Sequence, residues 1–143
     1  MADFFYFDDF SEQVLKGTHD LDGTHTLKVY LSNATPSASG DAVKSDLAEI
    51  SGGNGYTGGG HSTTPTLTES SGTAKLACTD VTITASGGAV GPFRYAVLYN
   101  DTSASDNLIG CWDYNSSISL ASGESFTIDF DDSNGVFTLA KAP

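Results

Sequence analysis

The second half of the chain is cut repeatedly by turn dipeptides: Ser71-Gly72, Gly87-Gly88, Asn100-Asp101, Ser122-Gly123 and Asn134-Gly135. Gly, Asn, Asp and Ser favour the backbone conformations of tight turns. The stretches between them are rich in Val, Ile, Thr, Tyr and Phe, residues that fit a pleated, half-buried surface. This punctuation predicts strands over 63–69, 73–79, 81–85, 93–100, 108–114, 116–120, 124–130 and 136–139. Within 124–130, Phe126, Ile128 and Phe130 alternate with Thr127 and Asp129, which predicts one buried and one wet face. Tyr95, Val97 and Tyr99 alternate with Ala96 and Leu98, with no charge on either side, so that strand is predicted to be central and covered on both faces.

The first half carries weaker signals. His25, Leu27, Val29 and Leu31 share one face of a predicted strand, with Thr24, Thr26, Lys28 and Tyr30 on the other. A loop with Pro36 follows over 33–40. Asp41 then reads as the N-cap of a turn or two through Val43, Leu47 and Ile50. The glycine-rich run Ser51–Gly60 can hold no regular element. Near the N-terminus, Phe7, Phe10, Val14 and Leu15 recur at helical spacing. Asp9 with Glu12 resembles a capping box, and Lys16-Gly17 supplies a stop, so a short helix is predicted over 9–16.

With 143 residues and no linker, the chain reads as one domain, 1–143. Only 17% of residues are charged and 16 are Gly, which disfavours a helical bundle. The predicted fold is all-β: an antiparallel β-sandwich or jelly-roll-like barrel with one short N-terminal helix.

Eighteen acidic residues against six basic ones give a net charge of −12. Such a surface repels phosphate backbones and anionic lipid, so neither nucleic acid nor membrane is an expected partner. No apolar run approaches the ~20 residues of a membrane-spanning helix. The acidic start Met1–Asp9 lacks the basic region of a signal peptide, and a cytoplasmic origin is expected. Cys78 and Cys111 form no CxxC motif and are expected to be buried thiols.

Chemistry-bearing motifs are weak. The glycine-rich run lacks the Gly-Lys-Ser/Thr of a phosphate loop. The segment Asp129–Gly135 starts like a calcium loop, but its Gly falls at the seventh position rather than the sixth, and Ala140 stands where the bidentate Glu belongs. A turn through Asn134-Gly135 joining a hairpin is the expected structure there. His19, His25 and His61 are dispersed, and Asp113, between Trp112 and Tyr114, is expected to face solvent. No catalytic residue, cofactor or metal is predicted, and the expected role is non-enzymatic.

Two segments stand out as candidate contact surfaces. Phe4, Phe5, Tyr6, Phe7 and Phe10 exceed what one short helix can bury on a single face. They predict either a staple onto the domain's own core or an arm that docks on a partner. Gly52, Gly53, Asn54, Gly55 and Tyr56 form a second candidate loop. Trp112 and Tyr114 share a strand face, as a core, an interface or a sugar platform would require.

The stretches Ile50–Tyr56, Gly91–Asp101, Leu108–Tyr114, Phe126–Phe130 and Asn134–Val136, with Leu27–Asn33 near the start, resemble small structural proteins of tailed bacteriophages. The resemblance covers nearly the whole chain. It most suggests a capsid decoration, or cement, protein on the outer surface of the head, made in the host bacterial cytoplasm. It implies the major capsid protein as partner and a homo-oligomer, a trimer before a dimer. A tail or head–tail junction component is the main rival, and a host-surface or carbohydrate-binding virion module the next.

Overall fold

The uncharged run around Tyr95–Tyr99 lies at the centre of the protein, as its covered faces predict. In the computed structural model, which describes residues 2–143, it belongs to strand β7 (Val90–Asn100). The other strands are β1 (Asp3–Tyr6), β2 (Leu27–Ser32), β3 (His61–Thr63), β4 (Pro65–Ser70), β5 (Thr73–Cys78), β6 (Val81–Thr84), β8 (Leu108–Leu120), β9 (Ser125–Ile128) and β10 (Phe137–Ala140). A single α-helix, α1 (Asp8–Leu15), follows β1. All strand pairings are antiparallel, and the sheets run β1-β8-β7-β2-β3, β10-β5-β4 and β6-β9. The sheets are layered like a sandwich and do not close into a barrel.

Both faces of the five-stranded sheet are buried at its centre, along β2, β7 and the first residues of β8. One face carries Leu27, Val29, Leu31, Ala96, Leu98 and Ile109, packed with Leu76, Ile83, Phe93 and Ile128 into the main core. The opposite face carries Tyr30, Tyr95, Val97, Tyr99 and Cys111 and is closed by Phe7, Leu47 and Leu108. Tyr30, on the face opposite Leu27, Val29 and Leu31, is therefore buried too, because the segment after β2 folds back over it. Its hydroxyl donates to the Leu47 carbonyl at 3.1 Å, and Lys44 sits 4.8 Å from its ring centroid. Cys78 lies in the first core and Cys111 in the second; both are free thiols.

Several boundaries differ from expectation for identifiable reasons. The strand predicted over 63–69 breaks at Thr64 and changes sheet. Thr64 donates its N–H to Thr79 Oγ1 at 2.9 Å, and Pro65 has no N–H with which to continue the first ladder. Conversely, β8 runs unbroken through Asn115, which takes φ 64° while its N–H bonds Asp113 Oδ1 at 2.7 Å. That is a bulge rather than a turn. β7 starts earlier than predicted, at Val90. There Gly91 holds φ 116°, and a Cβ would lie 2.8 Å from the Ile118 carbonyl oxygen.

Helix α1 begins one residue before its predicted start, with Phe7 as N-cap and no side-chain cap. The predicted box does not form: Asp9 is inside the helix and accepts from Gln13, while Glu12 pairs with Lys16. Asp41 is not an N-cap either. A single 3-10 turn, Lys44–Asp46, follows Val43, and the Asp46 carboxylate accepts from Ala42 and Val43 at 2.9 and 3.1 Å. Asn134-Gly135 makes a turn but not a hairpin. The Asp131 carboxylate holds the Ser133 and Asn134 N–H groups at 2.8 and 2.9 Å, and the chain passes from the sheet of β9 to that of β10.

Candidate functional site

Of the five N-terminal aromatics, Phe4, Phe5 and Tyr6 lie in the edge strand β1, Phe7 caps α1 and Phe10 lies within it, so they do not form a free arm. β1 pairs with β8 in the register Asp3↔Asp113, Phe4↔Trp112, Phe5↔Cys111 and Tyr6↔Gly110. Strand alternation then sends Phe5 and Phe7 to the second core and Phe4 to the first, which Phe10 of α1 also joins. Phe7 is fully buried and Phe10 nearly so. Phe4 and Phe5 are half-buried, and Tyr6, at 51%, is the exposed member of the set. The staple reading therefore holds for Phe7 and Phe10, which no partner can reach.

Next to β1 the sheet carries an aromatic groove of about 620 Å³. Phe4, Trp112, Tyr114 and Phe130 line it, with Asp129, Asp131 and Asp132 among its acidic residues. The Trp112 ring lies 4.7 Å from Phe4 and 5.1 Å from Phe130, measured between centroids. Trp112 and Tyr114 share this face because Asp113 between them points the other way, where it takes Arg94 in a two-pronged pair at 2.7 and 2.9 Å. The guanidinium holds the Asp113 carboxyl below its ordinary pKa. Burial, with Cys111 and Asp129 adding to it, pushes the Tyr114 phenol up to about 12.

The groove is one end of a longer seam. A channel of about 580 Å³ runs beside Phe4, Phe5 and Tyr6, with Val136, Phe137 and Thr138 also lining it. It shares Phe4 and Val136 with the groove. At its other end, Tyr6, Phe10, Val14, Leu15, Phe137 and Leu139 line an apolar hollow of about 210 Å³. Leu15 is 87% exposed and Leu139 59%. Isolated apolar residues on a surface are ordinary, but these adjoin one another and continue into an aromatic groove, the pattern of an interaction site.

The glycine-rich candidate is built differently. Gly52, Gly53, Asn54 and Gly55 are exposed, but Tyr56 is buried in the main core. Its hydroxyl accepts from the Leu31 N–H at 2.9 Å and donates to Glu49 Oε1 at 2.7 Å. Glu49 also accepts from the Gly59 N–H at 2.8 Å and from Lys44 at 2.7 Å. Gly55 passes so close to the Thr84 carbonyl that any Cβ would collide with it. Tyr56 is thus an internal anchor and drops out as a contact residue; only the exposed loop backbone remains available.

One buried polar cluster lies behind the seam, its His19 ring 5.2 Å from that of Phe10. The Asn100 amide donates to His19 Nδ1 at 3.0 Å and His25 Nδ1 at 2.9 Å, and its carbonyl accepts from Thr102 and Ser103. His19 therefore carries its proton on Nε2, which is buried without a partner among the described residues. Burial first, and His25 second, lower the His19 pKa to about 4. Among the described residues no group of three or more His, Cys, Asp or Glu is placed to hold a metal ion.

Sequence reasoning singled out Trp112, Tyr114 and Tyr6 but missed Phe130, Leu15, Leu139 and the acids of the β9–β10 connection as their neighbours. The alternation ending at Phe130 was a signal for burial; nothing local indicates that β1 lies beside it. No protein-family model, curated protein or solved structure matches the chain.

Proposed function

We propose that the chain is a non-enzymatic structural protein of a tailed-phage virion, specifically a decoration protein that binds the major capsid protein on the outer surface of the head and stabilises it. The observation that carries this reading is the seam beside β1: an exposed, largely apolar surface at the edge of a β body whose central faces are both buried. Tyr6, Leu15 and Leu139 offer apolar area there, and Phe4 and Phe5 adjoin it. The motif resemblance to phage virion proteins supplies the setting. A charge of −12 keeps unattached copies apart and away from the genome. Many copies acting together turn modest contacts per site into strong retention.

A homotrimer on a local symmetry axis of the shell is the arrangement this reading favours. Electron microscopy of particles with and without the gene product tests it. Density for the protein on the outer head surface, absent from the deletion particles, is the expected result. Density confined to the tail or the head–tail junction replaces the reading with its rival. Light scattering of the purified protein checks the oligomer: only monomer at high concentration, with monomeric density on heads, removes the trimer.

A further inference from the structure

We propose that the seam beside β1 docks an extended segment of a partner protein, and that an Arg or Lys of that segment places its cationic head in the groove over Trp112. The same seam carries the capsid contact proposed above, and peptide binding by the isolated chain tests its chemistry separately from any place in a virion.

The backbone points to an extended occupant. Phe7 donates its N–H to the Ile109 carbonyl at 3.2 Å, so residues of Phe7's parity, Phe5 and Asp3, make the β1–β8 ladder bonds. The N–H and C=O groups of Phe4 and Tyr6 therefore face away from β8. β1 is the last strand of its sheet, so no strand takes them up. They adjoin the channel between β1 and Val136–Thr138. An open edge of this kind is satisfied by strand addition, in which main-chain bonds hold the peptide and pockets read alternate side chains.

The groove selects the charge. Asp129 and Asp132 have no hydrogen bond or ion pair to their carboxylates among the described residues. Lys75, the nearby cation, bonds the main-chain oxygens of Asp132 and Ser133 instead, at 3.2 and 3.0 Å. Asp131 is spent on its own turn. Two unpaired carboxylates lining the same groove as Trp112 and Phe4 favour a cation twice over, through charge and through the ring quadrupoles. A carboxylate or phosphate would be repelled. The volume lies in the range of about 300–1,000 Å³ typical of ligand sites, which leaves room for a long side chain and its neighbours.

Trp112 is the only tryptophan, so its fluorescence reports this groove alone. The probe is a blocked five-residue peptide with a central arginine between Val and Thr residues, titrated into the full chain at low salt. Controls carry citrulline, which keeps the shape without the charge, or glutamate. Calorimetry of the same mixtures detects a complex that leaves fluorescence unchanged. Expected is saturable binding of the arginine peptide, weaker by about tenfold or more for citrulline and weakened by added salt. Asp129→Asn and Asp132→Asn should each weaken binding by roughly threefold or more with unchanged melting curves, since both side chains are exposed or unbonded. No saturable binding, equal binding of the citrulline or glutamate peptide, or saturable binding of a neutral oligosaccharide in place of the peptide overturns the proposal.

Discussion

The two edges of the five-stranded sheet are finished in opposite ways. At one, β3 covers β2 only from Leu27 to Val29, and Leu31 beyond it would be left unpaired. The loop closes that gap: Ile50 donates to the Leu31 carbonyl at 3.0 Å, and the Tyr56 hydroxyl accepts from its N–H. At the other edge, β1 keeps the outward groups of Phe4 and Tyr6 beside an open channel. Buried polar groups are almost always paired in native proteins, and a protein that closes one edge with a dedicated tyrosine has the means to close the other. The contrast teaches where to look for a partner: at the edge whose polar groups and aromatic rings are unspent, not at the edge with the most conspicuous loop.

The sharpest way to break this contrast is to remove β1 itself. Deleting residues 1–7 takes away the edge strand and the fully buried Phe7, so the truncated chain should fail to fold, read by circular dichroism. Phe7→Ala alone should cost about 3–5 kcal/mol in urea unfolding. A truncated protein with native spectrum and stability would mean that β1 is a detachable arm after all.

Next in size is a pH effect that belongs to the closed interior. His19 titrates near 4 in the folded protein against 6.5 when exposed, so the unfolded chain binds more protons between those values. Stability should be full above pH 6.5 and fall by about 3 kcal/mol as pH drops towards 4. His19→Gln should flatten that slope. A slope of opposite sign, measured by chemical unfolding at several pH values, would refute the buried neutral imidazole.

The closed edge should respond more modestly. Tyr56→Phe leaves the Leu31 N–H without its acceptor and should cost about 1–3 kcal/mol. Smallest of all for stability are Leu15→Ser and Leu139→Ser on the open seam, expected within about 0.5 kcal/mol of the parent. If the seam is the docking face, a variant carrying both changes should lose capsid binding in a co-sedimentation assay while its unfolding curve stays put.

Much of the fold could be read locally, and the site could not. The alternation through Tyr95–Tyr99 and Phe126–Phe130 specified which residues turn inward, because a strand's period is fixed by its own backbone. It could not specify which strands become neighbours. The switch of sheet at Thr64 depends on Thr79, and the outer covering of Tyr30 depends on Leu47. The groove joins Phe4, Trp112 and Phe130, residues brought together by long-range pairing rather than by any spacing. Aromatic excess near the N-terminus flagged the right region. The division of labour among its members, Phe7 inward and Tyr6 outward, follows from the register with β8.

The two thiols give the molecule a pair of built-in clocks. Burial pushes the Cys78 and Cys111 thiols each up to about 12, so almost no thiolate exists at neutral pH and the folded protein should react only slowly with alkylating reagents. Because they sit in separate cores on opposite faces of one sheet, each becomes reactive only when its own compartment opens. Mass-resolved labelling over time therefore dates two openings in a single sample. Attachment of a partner along β1, which directly abuts Cys111 through Phe5, should slow one of those clocks more than the other.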